Sequence, residues 1–517
     1  MGGHPRTLPL GPILGDPVRS SFAATLAAPA VSEIDVVEGG MTRPMTLGEL
    51  RKSGWASVPV AEELRRNAVD RIRSGDSLVA SVLGYEDTVL PQLENALLAG
   101  HDVIFLGERG QAKTRMIRSL TDLLDEWMPI VAGSEINDDP YNPVSAHSKQ
   151  LVKEMEDDTP IDWVHRDERY GEKLATPDTS IADLIGEVDP IRVAEGRYLS
   201  DELTLHYGLV PRTNRGIFAI NELPDLAERI QVGLLNVLEE RDVQIRGYKV
   251  RLPLDVVLFA SANPEDYTNR GRIITPLKDR FGSQIRTHYP LDVETEMTIV
   301  VQEAVLPPPE VVDVQVPDFM LEIVCELSHQ ARQSNQINQR SGVSVRLSVA
   351  NFEAIAANAL RRTLPGGGTS AVPRVSDLSA IAATTAGKIE VEAFEDGGEG
   401  RVIDALIRSA THTVFMDTVD PILHGPIVDA FENGVTVDVG SDVDLDEYDR
   451  LLEEVPALRP AIEALLANDK IDPALPGVRA SAIELILEGL HLSKRLNKNM
   501  HGTAAQYQGR STGASPD

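Results

Sequence analysis

A chain of 517 residues has room for about two to four domains of ~100–200 residues. Its 42% hydrophobic and 25% charged residues are ordinary for a globular protein, and no apolar run approaches the ~20 residues that span a bilayer. A net charge of −31 argues against nucleic acid as the main partner, because phosphate contacts need a lysine and arginine surface, and the lone Cys325 excludes an internal disulfide and suits a reducing cytoplasm.

Residues 1–40 are rich in Pro, Gly and Ala without sustained periodicity, and read as a disordered leader with no secretory signal. Met41 is an alternative start. Residues 41–84 read as an N-terminal helical segment, and "PVAEELRRNAVDRIRSG" and "TVLPQLENALLAG" are helices closed by Gly75 and Gly100. Residues 85–290 alternate strands and helices, which implies a parallel α/β sheet. Its buried strands are "HDVIFLG", "RGIFAINEL", "LDVVLFASANPED" and "SQIRTHYPL", and "DVQIRGYKVRL" is a hairpin turning at Gly247. The polar stretch 134–175 reads as a solvated insert, whose His147 and His165 lack metal-ligand spacing. Residues 291–395 read as helical and 396–497 as a further C-terminal helical region, in which "DVDLDEYDRLLEEV" reads as a solvated helix start and not a metal loop. Residues 498–517 read as a disordered tail.

The chemistry starts at "GERGQAKT". A P-loop, G-x-x-x-x-G-K-[ST], surrounds phosphates with backbone N–H groups at a helix N-terminus; its lysine reaches the β and γ oxygens and its hydroxyl ligates magnesium. Gly107, Glu108, Arg109, Gly110, Gln111, Lys113, Thr114 and Arg115 fit that frame as candidate ATP contacts. Ala112 stands where the last glycine belongs, and it fits if its φ is negative. The strand "GIFAINELPDL" ends in Asn221-Glu222, where P-loop ATPases end Asp-Glu. Glu222 is the candidate for polarising water, and Asn221 for holding magnesium through water, with Asp225 as a possible substitute carboxylate. Asn263 ends another buried strand where an amide can orient a γ-phosphate, and Arg280 in "TPLKDRFGSQI" suits an arginine finger. Each residue alone has an ordinary structural reading. Their order along one chain points to nucleotide chemistry.

These segments resemble the AAA+ ATPases of the MoxR and magnesium-chelatase subunit I-like branch, over about residues 85–390. Alanine before the P-loop lysine is common in the MoxR group, so Ala112 looks like a family habit. "PDTSIADLIGEVDP" through "GLVPRTNRGIFAINELPDL" resembles the chelatase subunit's helix-2 insert, and "SGVSVRLSVANFEAIAANAL" its lid helix, with Arg346 as the sensor-2 arginine ahead of Arg340. The resemblance implies an AAA+ P-loop core with a parallel sheet, followed by a helical lid. It also implies ATP and Mg2+ as cofactors, a homo-oligomeric ring expected to be hexameric, and a cytoplasmic motor. Its partner would carry a von Willebrand factor A domain. Two alternatives share the motifs: a motor subunit of a magnesium or cobalt chelatase, and a nucleotide-binding scaffold with little hydrolysis, which Asn221 favours and Glu222 and Arg280 oppose.

Overall fold

The computed structural model describes residues 43–188, 205–244, 251–263, 271–339, 342–391, 398–502 and 504–510. The leader 1–40, Met41, Gly247 and Arg340 lie outside the described residues.

Helices Val60–Ser74 (α1) and Val89–Ala99 (α2) both stop at glycines in the left-handed region, Gly75 and Gly100, whose N–H groups cap the last turn. Five parallel strands follow: β1 (Val103–Leu106), β2 (Tyr170–Leu174), β3 (Gly216–Asn221), β4 (Val256–Ala262) and β5 (Ser283–Arg286). Their order across the sheet is β5-β1-β4-β3-β2. This is the expected α/β P-loop arrangement. Strands β1, β3 and β4 read as unbroken apolar runs because helices cover both faces. Phe105, Ile217 and Phe259 pack on one face against α1, α2 and the P-loop helix Lys113–Ser119 (α3). Ile104, Phe218 and Leu258 pack on the other face, against helix Glu228–Glu239 (α4). The carboxyl ends of β1, β3 and β4 therefore open on one edge, where ligands of open α/β sheets bind.

The stretch 134–175 is not only a solvated insert. It supplies β2, which lies at the sheet edge and pairs with β3 so that Leu174 faces Asn221. An edge strand is half exposed, so "YGEKL" carries no apolar run to mark it.

Helices Val293–Glu303 (α5), Asp318–Gln333 (α6) and Arg346–Thr363 (α7) make the helical region after the sheet. They share one hydrophobic core with Gly398–Thr418 (α8) and Pro476–Leu492 (α9). The tail differs from expectation. Strands Thr436–Gly440 (β6), Leu496–His501 (β7) and Ala504–Gly509 (β8) form an antiparallel sheet in the order β6-β8-β7. Ala505 and Tyr507 bury the inner face of β8, a two-residue period that the small and polar composition of "AAQYQG" conceals. Among the described residues no helix is long and apolar enough to cross a membrane.

Candidate active site

Strand β1 runs out at Leu106 and the chain turns through Gly107–Ala112 before α3 begins at Lys113. Gly110 has φ +76, and a Cβ there would lie 1.8 Å from Ser344 Oγ, just ahead of α7. Only glycine lets the loop pass so close. Ala112 has φ 54 and ψ 14, which overturns the expectation of a negative φ. A left-handed L-residue costs ~1–2 kcal/mol, so the surrounding bonds must hold the loop in shape. The Tyr85 hydroxyl donates to the Gln111 carbonyl at 2.9 Å, Thr287 Oγ1 to Gln111 Oε1 at 2.6 Å, and the Tyr289 hydroxyl to the Arg109 carbonyl at 2.9 Å.

Lys113 is 7% exposed, and its ammonium donates to the carbonyls of Gly107 and Glu108 and to Asn263 Oδ1 at 2.8 Å. Asn263 Nδ2 in turn donates to Glu222 Oε2 at 2.7 Å. Glu222 itself has φ 56, a second strained residue at the end of β3. Beside it, Asn221 Oδ1 accepts from Thr114 Oγ1 at 3.2 Å and from Ser261 Oγ at 3.1 Å, while its Nδ2 donates to Glu172 Oε1 at 2.6 Å. Burial works to raise the pKa of Glu172, but hydrogen bonds from Arg118, Tyr170 and Asn221 outweigh it and hold the carboxyl below its usual range. The Glu222 N–H donates to Ser261 Oγ at 3.3 Å, so Lys113, Thr114, Asn221, Glu222 and Asn263 are joined in one network. Its oxygen donors, Thr114 Oγ1 and Asn221 Oδ1, are the hard ligands that suit Mg2+ and its waters.

This network opens into a cleft of about 1070 Å³. Arg109, Arg115, Val349 and Glu353 line it, and Arg346 reaches it from the start of α7. Arg115 pairs with Glu303 of α5, which ties the P-loop helix to the helical region. Arg280 does not line this cleft. It pairs with Glu239 at 2.9 Å, at the end of α4. A smaller recess, lined by Val82, Leu83, Tyr85, His288 and Pro290, adjoins the P-loop and offers a planar group apolar walls. Among the described residues no group of three or more His, Cys, Asp or Glu is arranged to hold a metal ion.

No family model matches the chain. The magnesium-chelatase subunit ChlI of Oryza sativa subsp. indica is 25% identical over 315 residues, 55% of this chain and 71% of that protein. The magnesium-chelatase 38 kDa subunit of Rhodobacter capsulatus is 29% identical over 234 residues, 43% of this chain and 59% of that protein. These relatives are magnesium-chelatase subunit I proteins, and over that part of its length the chain is similar to AAA+ ATPases of the MoxR and magnesium-chelatase subunit I-like kind. A solved complex of the magnesium-chelatase subunits BchI and BchD is 21% identical, covering 63% of this chain and 98% of that chain at a TM-score of 0.33.

Within this site, motif reading missed Glu172, Ser261, Tyr85 and Thr287. Ser261 had a visible signal, a hydroxyl inside the apolar run "VVLFASAN". Glu172 had none, because its strand carries no apolar signature. Asp225 follows Glu222 in a short 3-10 turn and does not line the cleft.

Proposed function

We propose that this AAA+ protein binds ATP with magnesium in the cleft, hydrolyses it, and couples the cycle to remodelling of a partner protein within a homo-oligomeric, expected hexameric ring. The observation that carries the reading is the single hydrogen-bonded network joining Lys113, Asn263 and Glu222, with Thr114 and Asn221 beside it. Lys113 exchanges its carbonyl acceptors for β and γ oxygens, and the N–H groups opening α3 face the same charge. Magnesium, when bound, neutralises phosphate oxygens, and Thr114 Oγ1 with Asn221 Oδ1 would hold it and its waters. When Lys113 turns to the phosphates, the Asn263 carbonyl oxygen loses that ammonium, so the amide responds to the γ-phosphate, while Glu222 orients and polarises a water. Arg346 reports nucleotide from the lid side, and Arg280, which does not line its own cleft, serves a neighbouring subunit. A partner carrying a von Willebrand factor A domain is the expectation from the family resemblance.

Calorimetry tests the site. Lys113→Ala is expected to lose ATP affinity by at least ~10-fold, ~1.4 kcal/mol, because the β and γ charges lose their main cation. Equal affinity for the folded variant and the parent removes the P-loop assignment. Tight binding without turnover would leave the nucleotide-binding scaffold instead. The names of the relatives favour one further reading, a chelatase motor subunit. Nucleotide-dependent insertion of magnesium or cobalt into a tetrapyrrole, assayed with a large chelatase subunit from the same source, separates that reading from a remodelling motor.

A further inference from the structure

Strand β2 runs parallel to β3 with Glu172 opposite Ala219 and Leu174 opposite Asn221. The Glu172 side chain reaches across this pair, and its Oε1 accepts from Asn221 Nδ2 at 2.6 Å. That bond decides which way the amide points. A flipped amide would set its oxygen against a carboxylate and its NH2 against Thr114 and Ser261, so the carboxylate fixes Oδ1 towards Thr114 Oγ1. The amide oxygen thereby keeps the position of a metal-shell acceptor. What it lacks is charge. One residue away, that charge is present on Glu172.

We propose that Glu172 is a positioning residue for the magnesium–nucleotide site: it aims the Asn221 carbonyl at the metal shell and supplies, through that amide, the negative charge an aspartate would carry. The proposal rests on the reading of the cleft as an ATP–magnesium site. Coulomb attraction falls only as the inverse of distance, so a carboxylate behind a polarised amide still acts on a divalent cation. Arg118 balances Glu172, with nitrogens at 2.7 and 2.8 Å, and the Tyr170 hydroxyl donates to it at 3.0 Å. The Arg118 side chain is 62% exposed and lines the same cleft, so it can swing into water when a divalent cation takes over as counter-charge. Restoring an aspartate alone does not repair such a site. Asn221→Asp sets a second carboxylate where the amide donor lay 2.6 Å from Glu172, and the two repel.

The test is metal affinity in the full chain. Manganese, read by electron paramagnetic resonance, is titrated in the presence of a non-hydrolysable ATP analogue, with metal-free nucleotide binding and melting temperature measured alongside. Glu172→Gln is expected to weaken manganese by ~10–100-fold while metal-free nucleotide affinity holds. Glu172→Gln with Asn221→Asp, which moves the carboxylate one residue inward, restores near-parental metal affinity. Arg118→Gln, which removes the competing cation, tightens it. A purely structural clamp predicts the reverse for the last two: no rescue by the double variant, and unchanged or weaker metal binding without Arg118. Unchanged manganese affinity in Glu172→Gln, or either of those results, overturns the proposal. If Glu172→Gln does not fold, the double variant and Arg118→Gln decide it alone. A parent chain that binds no nucleotide overturns the site reading as well, whereas Lys113-dependent binding that ignores Glu172 overturns this inference only.

Discussion

Ala112 occupies the left-handed region inside the loop that would surround the phosphates. Ala112→Gly should relieve that backbone, offset in part by the greater freedom of glycine in the unfolded chain, for a net gain of up to ~1 kcal/mol in urea unfolding. A loss of stability would mean that the alanine methyl packs usefully against the neighbours it touches. Gly110→Ala should do the opposite, because its Cβ has no room beside Ser344. Nucleotide affinity should fall as the loop and the start of α7 are forced apart, which calorimetry reads directly. Residue identities at this scale were legible in the sequence: the loop, Asn221-Glu222 and Asn263 all fall on the network. Backbone sign was not, since an alanine does not announce its φ. Neither was Glu172, whose strand shows no periodicity to place it beside β3.

Helices α5, α6 and α7 are held by a buried carboxylate. Glu296 is 0% exposed, accepts two bonds from Arg332 at 2.6 and 3.0 Å, and accepts a third from Ser348 Oγ. Glu296→Ala should cost about 3–5 kcal/mol in chemical unfolding, because it strands the Arg332 guanidinium in the interior. Glu322 on α6 behaves in the opposite sense. Burial, then the charges of Asp417, Glu326 and Asp318, push its pKa up to about 7. In the unfolded chain it ionises in the ordinary carboxylate range, so the folded state binds the extra proton and loses stability as pH rises through that window. Glu322→Gln should therefore melt higher than the parent at pH ~8, with the gap closing at pH ~4, where both chains carry a neutral group. A gap that does not change with pH would show that the side chain titrates normally. These helices were legible from their periodicity. Strands β6, β7 and β8 were not, because strands of five or six mostly polar or small residues carry too few apolar positions to register.

Across the whole molecule, Arg280 pairs with Glu239 and does not line the cleft of its own chain. If it completes a neighbour's site, Arg280→Ala and Glu222→Gln subunits are each inactive alone and regain part of the ATPase activity when mixed, since some interfaces then hold both groups. No gain on mixing, in rings shown to exchange subunits, would end the trans role. The sheet order also has a bearing on synthesis. Strand β8 lies between β6 and β7, yet it is the last of the three to be made. At ~5–20 residues per second, β6 leaves the ribosome seconds before the strand that pairs with it. During that interval its edge is open to other nascent chains. A message cut short before Ala504 would leave it open for good. Such a product would be captured by chaperones or degraded even with its entire nucleotide cleft translated, so the cell would count as functional only chains whose far end had arrived.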